Sequence, residues 1–127
     1  MDREKYRYNH TGIPTNKKME NEKYLEKYDV YVAGYEENDF NIELMRYGEK
    51  STVPDIVKKM AHVAFEVDDL QEAIKGKEVI IQPNSPSEGL LVAFILVNGA
   101  PVELMQWTKE KKVKCPCKAK RKYTQTS

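Results

Sequence analysis

Two histidines and two glutamates recur at matching places in the two halves of this chain. Tyr8-Asn9-His10-Thr11-Gly12-Ile13 aligns with Met60-Ala61-His62-Val63-Ala64-Phe65. Asn41-Ile42-Glu43-Leu44-Met45-Arg46-Tyr47 aligns with Pro101-Val102-Glu103-Leu104-Met105-Gln106-Trp107. His10 and His62 are the only histidines, and both occupy the same position of the repeat. A single histidine near a strand start is ordinarily a hydrogen-bonded structural residue, and a single strand glutamate ordinarily meets solvent. Their recurrence as a set points elsewhere. Two imidazoles and two carboxylates on one face are costly to bury unless something pairs with them. A divalent cation would satisfy all four, and this donor set suits Ni, Co, Mn, Fe or Zn.

The elements that must position these residues follow from hydrophobic periodicity. Ala61 to Asp68 alternates, with Val63, Phe65 and Val67 on one side and His62, Ala64, Glu66 and Asp68 on the other, which predicts a strand with one face on a core. Asp68-Asp69 offers an N-cap for a short helix over Leu70 to Ile74, and Gly76 a stop. Glu78 to Gln82 reads as a strand, and Pro83 to Gly89 as a polar loop. Leu90 to Val97 is an apolar run that predicts a buried strand. Asn98-Gly99 is a type I′ hairpin signal leading into the strand Ala100 to Trp107. The second half is therefore β-α-β-β-β, spanning 60–107. The first half, 7–48, fits a shortened version of the same order. Tyr8 to Pro14 is a strand, Asn16 to Lys27 contains a helical stretch, and Asp29 to Glu36 and Phe40 to Tyr47 are strands. From His10 to Glu43 is eight residues less than from His62 to Glu103, which suggests a short or missing strand. Lys50 to Lys59, with Pro54, reads as the linker. The expected fold is α+β, with two βαβββ modules forming a curved mixed sheet around a concave site.

Strand alternation puts Glu43, Met45 and Tyr47 on one face, like Glu103, Met105 and Trp107 in the second half. If the apolar faces pack on helices, His10, Glu43, His62 and Glu103 share the concave side. Met45, Tyr47, Met105 and Trp107 then line a substrate pocket beside them. Glu66 and Asp68 share the face of His62 and could brace a ligand or meet solvent.

The pattern resembles the vicinal oxygen chelate superfamily. That superfamily includes glyoxalase I, methylmalonyl-CoA epimerase, extradiol dioxygenases, fosfomycin-resistance proteins and bleomycin-binding proteins. The resemblance covers about residues 7–107. It is carried by His62-Val63-Ala64-Phe65-Glu66-Val67-Asp68-Asp69 and Asn98-Gly99-Ala100-Pro101-Val102-Glu103-Leu104, supported by His10-Thr11-Gly12-Ile13-Pro14. It implies paired modules whose first and last strands supply metal ligands, here His10, Glu43, His62 and Glu103, a set similar to that of bacterial glyoxalase I. The implied activity is a metal-dependent lyase, isomerase or epimerase reaction on a small substrate with adjacent oxygens. A cation would stabilise the enediolate formed when a proton leaves the carbon next to a carbonyl. Glu103 is the first choice for the base and Glu43 the second. An iron oxygenase fits less well, because a fourth protein ligand would fill a position that oxygen needs. The alternative within the same fold is a non-catalytic protein that sequesters an aromatic or hydrophobic small molecule. The resemblance also implies a homodimer, since small members of this fold often complete a sheet or cavity across a twofold.

Composition narrows the remaining classes. A chain of 127 residues with 40% hydrophobic and 32% charged residues has room for one domain and one core. No apolar run approaches the ~18 residues of a membrane span, and the charged start, Met-Asp-Arg-Glu-Lys, leads to the expectation of a cytoplasmic protein. The formal charge of +1 divides into +7 over residues 108–127 and −6 over the rest. The acidic body argues against nucleic-acid binding there. The basic segment could serve as an RNA-, membrane- or partner-binding arm, but a like-charge block of this kind reads as a solvated, disordered tail. It holds both cysteines, Cys115 and Cys117, too few and too close for a disulfide framework or a zinc site. Gly-rich phosphate loops, catalytic cysteines and Ser/His/Asp orders do not stand out.

Overall fold

The structure is a computed structural model that describes residues 5–108. The basic segment expected to be a tail, with Cys115 and Cys117, lies outside the described residues from position 109. The elements run β1 (Arg7–Pro14), β2 (Lys23–Leu25), a 3₁₀ turn (Glu26–Tyr28), β3 (Val30–Ala33) and β4 (Ile42–Tyr47) in the first half. The second half follows as α1 (Asp55–Lys59), β5 (His62–Glu66), α2 (Leu70–Ala73), β6 (Glu78–Ser87), β7 (Leu90–Val97) and β8 (Ala100–Trp107). The strands form one eight-stranded mixed sheet in the order β2-β3-β4-β1-β5-β8-β7-β6, curled into a half-barrel. The α+β class read from the periodicity and the curved sheet that the resemblance implies are therefore the observed architecture.

The order is a duplication written in hydrogen bonds. β1 pairs parallel with β4, and β5 pairs parallel with β8. The two halves meet at the antiparallel β1–β5 pair in the middle of the sheet. His-bearing and Glu-bearing strands thus become the four central ones. The sheet curls until its far edges touch, where the Tyr28 hydroxyl in the 3₁₀ turn donates to Asn84 Oδ1 in β6 at 2.8 Å.

Both faces of the second half are packed. Val67, Leu70, Ala93, Ile95 and Leu104 form the core under α2. Val53, Val57, Ala64, Val92, Phe94 and Met105 form a second core on the concave side. β7 is apolar at successive positions because Val92 and Phe94 face one core while Ala93 and Ile95 face the other. Asp69 caps α2 by accepting from the Glu72 amide at 3.2 Å. Asn98 (φ 51°) and Gly99 (φ 80°) take the left-handed pair that a type I′ turn requires.

Three local expectations are corrected. The first half has all four strands, with the short strand of the two alternatives realised as β2, three residues long, and what it lacks is the α-helix expected within Asn16 to Lys27. Residues 16–23 read Asn-Lys-Lys-Met-Glu-Asn-Glu-Lys, with a single apolar side chain and hence no face to bury. The segment is fastened by ion pairing instead: Arg46 grips both oxygens of Glu22 at 2.7 and 2.9 Å and stacks 4.2 Å over the Tyr31 ring. Second, the supposed loop Pro83 to Gly89 is mostly strand. β6 runs on to Ser87 with several register shifts, because an edge strand accommodates Pro83 and Pro86 where an inner strand would not. Third, the linker Lys50 to Lys59 contains α1, which buries Val57. Among the described residues, no helix is long and apolar enough to cross a membrane.

Candidate metal centre

Two cross-strand rows set the site. In one row Glu43 of β4 lies opposite Gly12 of β1, which lies opposite His62 of β5. In the next, His10 of β1 lies opposite Ala64 of β5, which lies opposite Glu103 of β8. The middle position of each row is small, and Gly12 and Ala64 each stand two residues beyond their module's histidine. The missing bulk leaves room over the centre of the sheet for the four polar side chains.

Three of these converge tightly. His62 Nε2 lies 3.0 Å from Glu103 Oε1, and His10 Nε2 lies 3.4 Å from the same oxygen. His10, His62 and Glu103 are all buried and offer ligand atoms within 4.8 Å of one another. Glu43 stands at the rim of this group: its Oε1 is 3.7 Å from His10 Nε2, and it remains partly accessible. All four expected ligands are thus in one place, with Glu43 less closely held.

The His10 ring is held edge-on by Tyr35 and His62, with centroids at 5.9 and 5.7 Å. The His62 ring meets Phe94 edge-on at 5.0 Å. Gly12 is the residue that lets the His62 ring lie where it does. A Cβ there would stand 2.6 Å from Met45 Sδ and 2.9 Å from His62 Nε2. Methionine can yield, but the imidazole is wedged between Phe94 and Glu103. Gly12→Ala is therefore expected to cost about 1–3 kcal/mol in stability and to weaken cation binding by about tenfold or more. A thermal melt paired with a zinc titration checks this, and unchanged affinity would contradict it.

The electrostatics separate the two glutamates. Burial alone would raise the Glu103 carboxyl, but hydrogen bonds and charge from His10 and His62 overcome it and hold the group down to about 2. Burial opposes the His10 imidazolium, yet the Glu103 bond and the charges of Glu103 and Glu43 outweigh it, so His10 sits above its ordinary 6.5. Glu43 is raised above 4.5, chiefly by burial. A lowered carboxyl stabilises the fold above its ordinary value and loses that contribution as pH falls towards about 2. A raised imidazole stabilises below its ordinary value and loses that contribution as pH rises through the shifted one. Glu43 acts in the same alkaline direction, since charging it in the buried site costs stability. The metal-free protein should therefore be most stable near pH 4.5, losing stability on the alkaline side first to Glu43 and, above about pH 6.5, to His10 as well. Saturating zinc should lift the alkaline limb selectively, because protons no longer compete with it there. Melting curves at pH 4, 6 and 9 with and without zinc test this; equal shifts at all three would contradict it.

The residues fit a divalent cation by the chemistry of their donors: two imidazole nitrogens and one carboxylate held in its charged form converge, with a second carboxylate beside them. The site opens into a cavity of about 120 Å³. Met45, Tyr47 and Met105 line it, whereas Trp107, exposed at the end of β8, is not among the lining residues. Burial pushes the Tyr28 phenol at the cavity wall up to about 12, with the charge of Glu103 adding to it, so that hydroxyl stays protonated. The sequence reading also passed over Val53 and Val57 from the supposed linker and Pro86 from the supposed loop. Val53, Ile56, Val57 and Met60 fall at i, i+3, i+4 and i+7, a helical signal that was legible. Glu66, expected on the face of His62 to brace a ligand or meet solvent, reaches His10 through Asn9; Asn9 itself carries no such signal.

No family model matches the chain, and no curated protein matches it. Two solved structures share its architecture. A hypothetical protein from Bacillus halodurans C-125 aligns with a TM-score of 0.64 at 20% identity, over 83% of this chain and 96% of that one. Methylmalonyl-CoA epimerase from Mycobacterium tuberculosis aligns with a TM-score of 0.59 at 15% identity, over 84% of this chain and 91% of that one. At these identities the shared property is the fold.

Proposed function

We propose that this chain is a metal-dependent lyase, isomerase or epimerase of the vicinal oxygen chelate type, acting on a small substrate with adjacent oxygens. The observation that carries this reading is the convergence of His10, His62 and Glu103 beside an otherwise apolar cavity whose polar lining is His10, Glu43 and Glu103. The resemblance of the repeat motifs and the fold shared with an epimerase support it. His10, His62 and Glu103 would hold a divalent cation, which supplies fixed positive charge for two neighbouring substrate oxygens.

The protein's own groups divide the remaining work. Glu103, pinned by two imidazoles and held down to about 2, is too weak a base to take a proton from carbon. Glu43, looser and raised by burial, is better suited. In this assignment Glu43 takes the proton from the carbon next to the carbonyl and returns it to that carbon or its neighbour. The order of preference between the two glutamates is thus the reverse of the one drawn from the sequence resemblance. Phe94, Ile81 and Leu90 exclude water from the substrate body. No lysine or arginine lines the cavity among the described residues, so the reading favours a compact, uncharged body over a phosphorylated or carboxylated one.

Solvent-exchange NMR tests the proposal. Metal-loaded protein is incubated in deuterium oxide with small α-hydroxyketones and hydroxyaldehydes. Deuterium appearing at the carbon next to the carbonyl, and only with metal-loaded protein, is the expected result. Tight binding of such compounds without exchange would replace this reading with the sequestering protein.

A further inference from the structure

The register between β1 and β5 breaks between Tyr8 and His10, leaving Asn9 as an extra residue. Neighbouring strand residues normally point to opposite faces, and a bulge is the device that releases this constraint. Here Asn9 and His10 both reach the concave side. Asn9 Oδ1 lies 2.6 Å from His10 Nδ1, and Asn9 Nδ2 donates to Glu66 Oε2 at 2.8 Å. The bulge is itself braced: Asn41 Nδ2 donates to the Asn9 carbonyl at 2.9 Å, and the Thr11 amide donates to the Asn41 carbonyl at 3.1 Å. With the backbone fixed, the open variable is which end of the Asn9 carboxamide faces the histidine.

Glu66 decides it. Its Oε2 accepts from Asn9, so the Asn9 end that meets it is the NH₂. The carbonyl oxygen then faces His10 Nδ1, which must donate. A neutral imidazole carries one N–H, so with Nδ1 protonated the lone pair is on Nε2. Nε2 is the atom that points at Glu103 and Glu43, at 3.4 and 3.7 Å. Facing two carboxylate oxygens, that lone pair is satisfied only by positive charge, a proton or a metal cation.

We propose that Glu66 is a positioning residue that acts through Asn9 to commit His10 to the Nδ1–H form and so presents Nε2 as the ligating atom. The proposal rests on the metal-centre reading and adds the group that orients the ligand. Were the Asn9 carboxamide to turn over, its NH₂ would face His10 Nδ1, the proton would move to Nε2, and that nitrogen could not bind metal.

The test uses full-length protein labelled with ¹⁵N-histidine, metal-free and at a pH where its imidazoles are neutral. Long-range ¹H–¹⁵N correlations identify which ring nitrogen carries the proton. Wild-type His10 is expected in the Nδ1–H form. Glu66→Gln keeps the size but can also donate, so it should yield a mixture of both forms and a zinc affinity about 10–100-fold weaker by chelator competition. Asn9→Asp combined with Glu66→Gln reverses the donor and acceptor between the two positions, and should restore both the Nδ1–H form and the affinity. Weaker zinc binding in Glu66→Gln with His10 still wholly Nδ1–H would overturn the proposal, marking Glu66 as merely structural. So would an unchanged affinity. A wild-type protein with His10 in the Nδ1–H form and no zinc binding would instead remove the metal-centre reading on which the proposal stands.

Discussion

Glu103→Ala is expected to abolish cation binding, with zinc affinity falling by more than the about 100-fold that a change outside the ligand sphere can cost. Glu103 is the carboxylate that both imidazoles approach, and it is the residue that joins β8 to the β1–β5 pair within the site. The same substitution should change the metal-free protein in a pH-dependent way. Where His10 is charged, loss of its buried counter-charge should cost about 3–5 kcal/mol. Above the His10 transition that charge is gone and the cost should shrink towards that of lost packing. Glu103→Gln separates charge from shape, since it retains the volume and can still accept from one imidazole. It should lose the cation almost as completely. Calorimetric titration with zinc at pH 7.5, together with melts at pH 5.5 and 9, reads all of these. Zinc binding retained in Glu103→Ala would contradict the assignment.

The second large effect separates the glutamates by role. Glu43→Gln should lower turnover by about 10²–10⁴-fold, the range a general base contributes, while cation affinity stays within about tenfold of wild type. Glu43 stands at the rim, 3.7 Å from His10 and outside the tight group of three, and burial raises its carboxyl. Glutamine reproduces its size and polarity but cannot take a proton at this pH. Deuterium exchange into substrate and zinc titration on the same preparation give the two readouts. If Glu43→Gln loses the cation as Glu103→Gln does, Glu43 is a fourth ligand rather than the base.

Much of this arrangement is legible in the amino-acid sequence because a repeat gives two views of one design. The pairing of His10 with His62 and of Glu43 with Glu103 needs no coordinates, and strand alternation is enough to put all four on one face. Val63, Phe65 and Val67 likewise reveal which side of β5 the helix must cover. The errors arise where a local rule met a competing tertiary one. Residues 16–23 allowed a helix by analogy with the second half, yet with only Met19 to bury they had nothing to hold one in place. Pro83 and Pro86 suggested a loop because proline weakens an inner strand, and position at the sheet edge removes that objection. Trp107 obeys the alternation of Glu103 and Met105, but alternation does not show that the last residue of the strand stays exposed. Gly12 lay inside a motif already singled out; its purpose becomes visible only when the His62 ring is seen to fill the space a side chain would take. The bulge at Asn9 depends on the pairing of two strands more than fifty residues apart and has no local signature.

The central claim is that His10, His62 and Glu103 grip one ion. Its most direct test is the metal content of protein purified without chelator, followed by reconstitution with Ni, Co, Mn, Fe and Zn, with His62→Ala carried in parallel. About one equivalent of a transition metal per chain, lost in the variant, is the predicted result. A wild-type protein that stays free of metal through every reconstitution would contradict it.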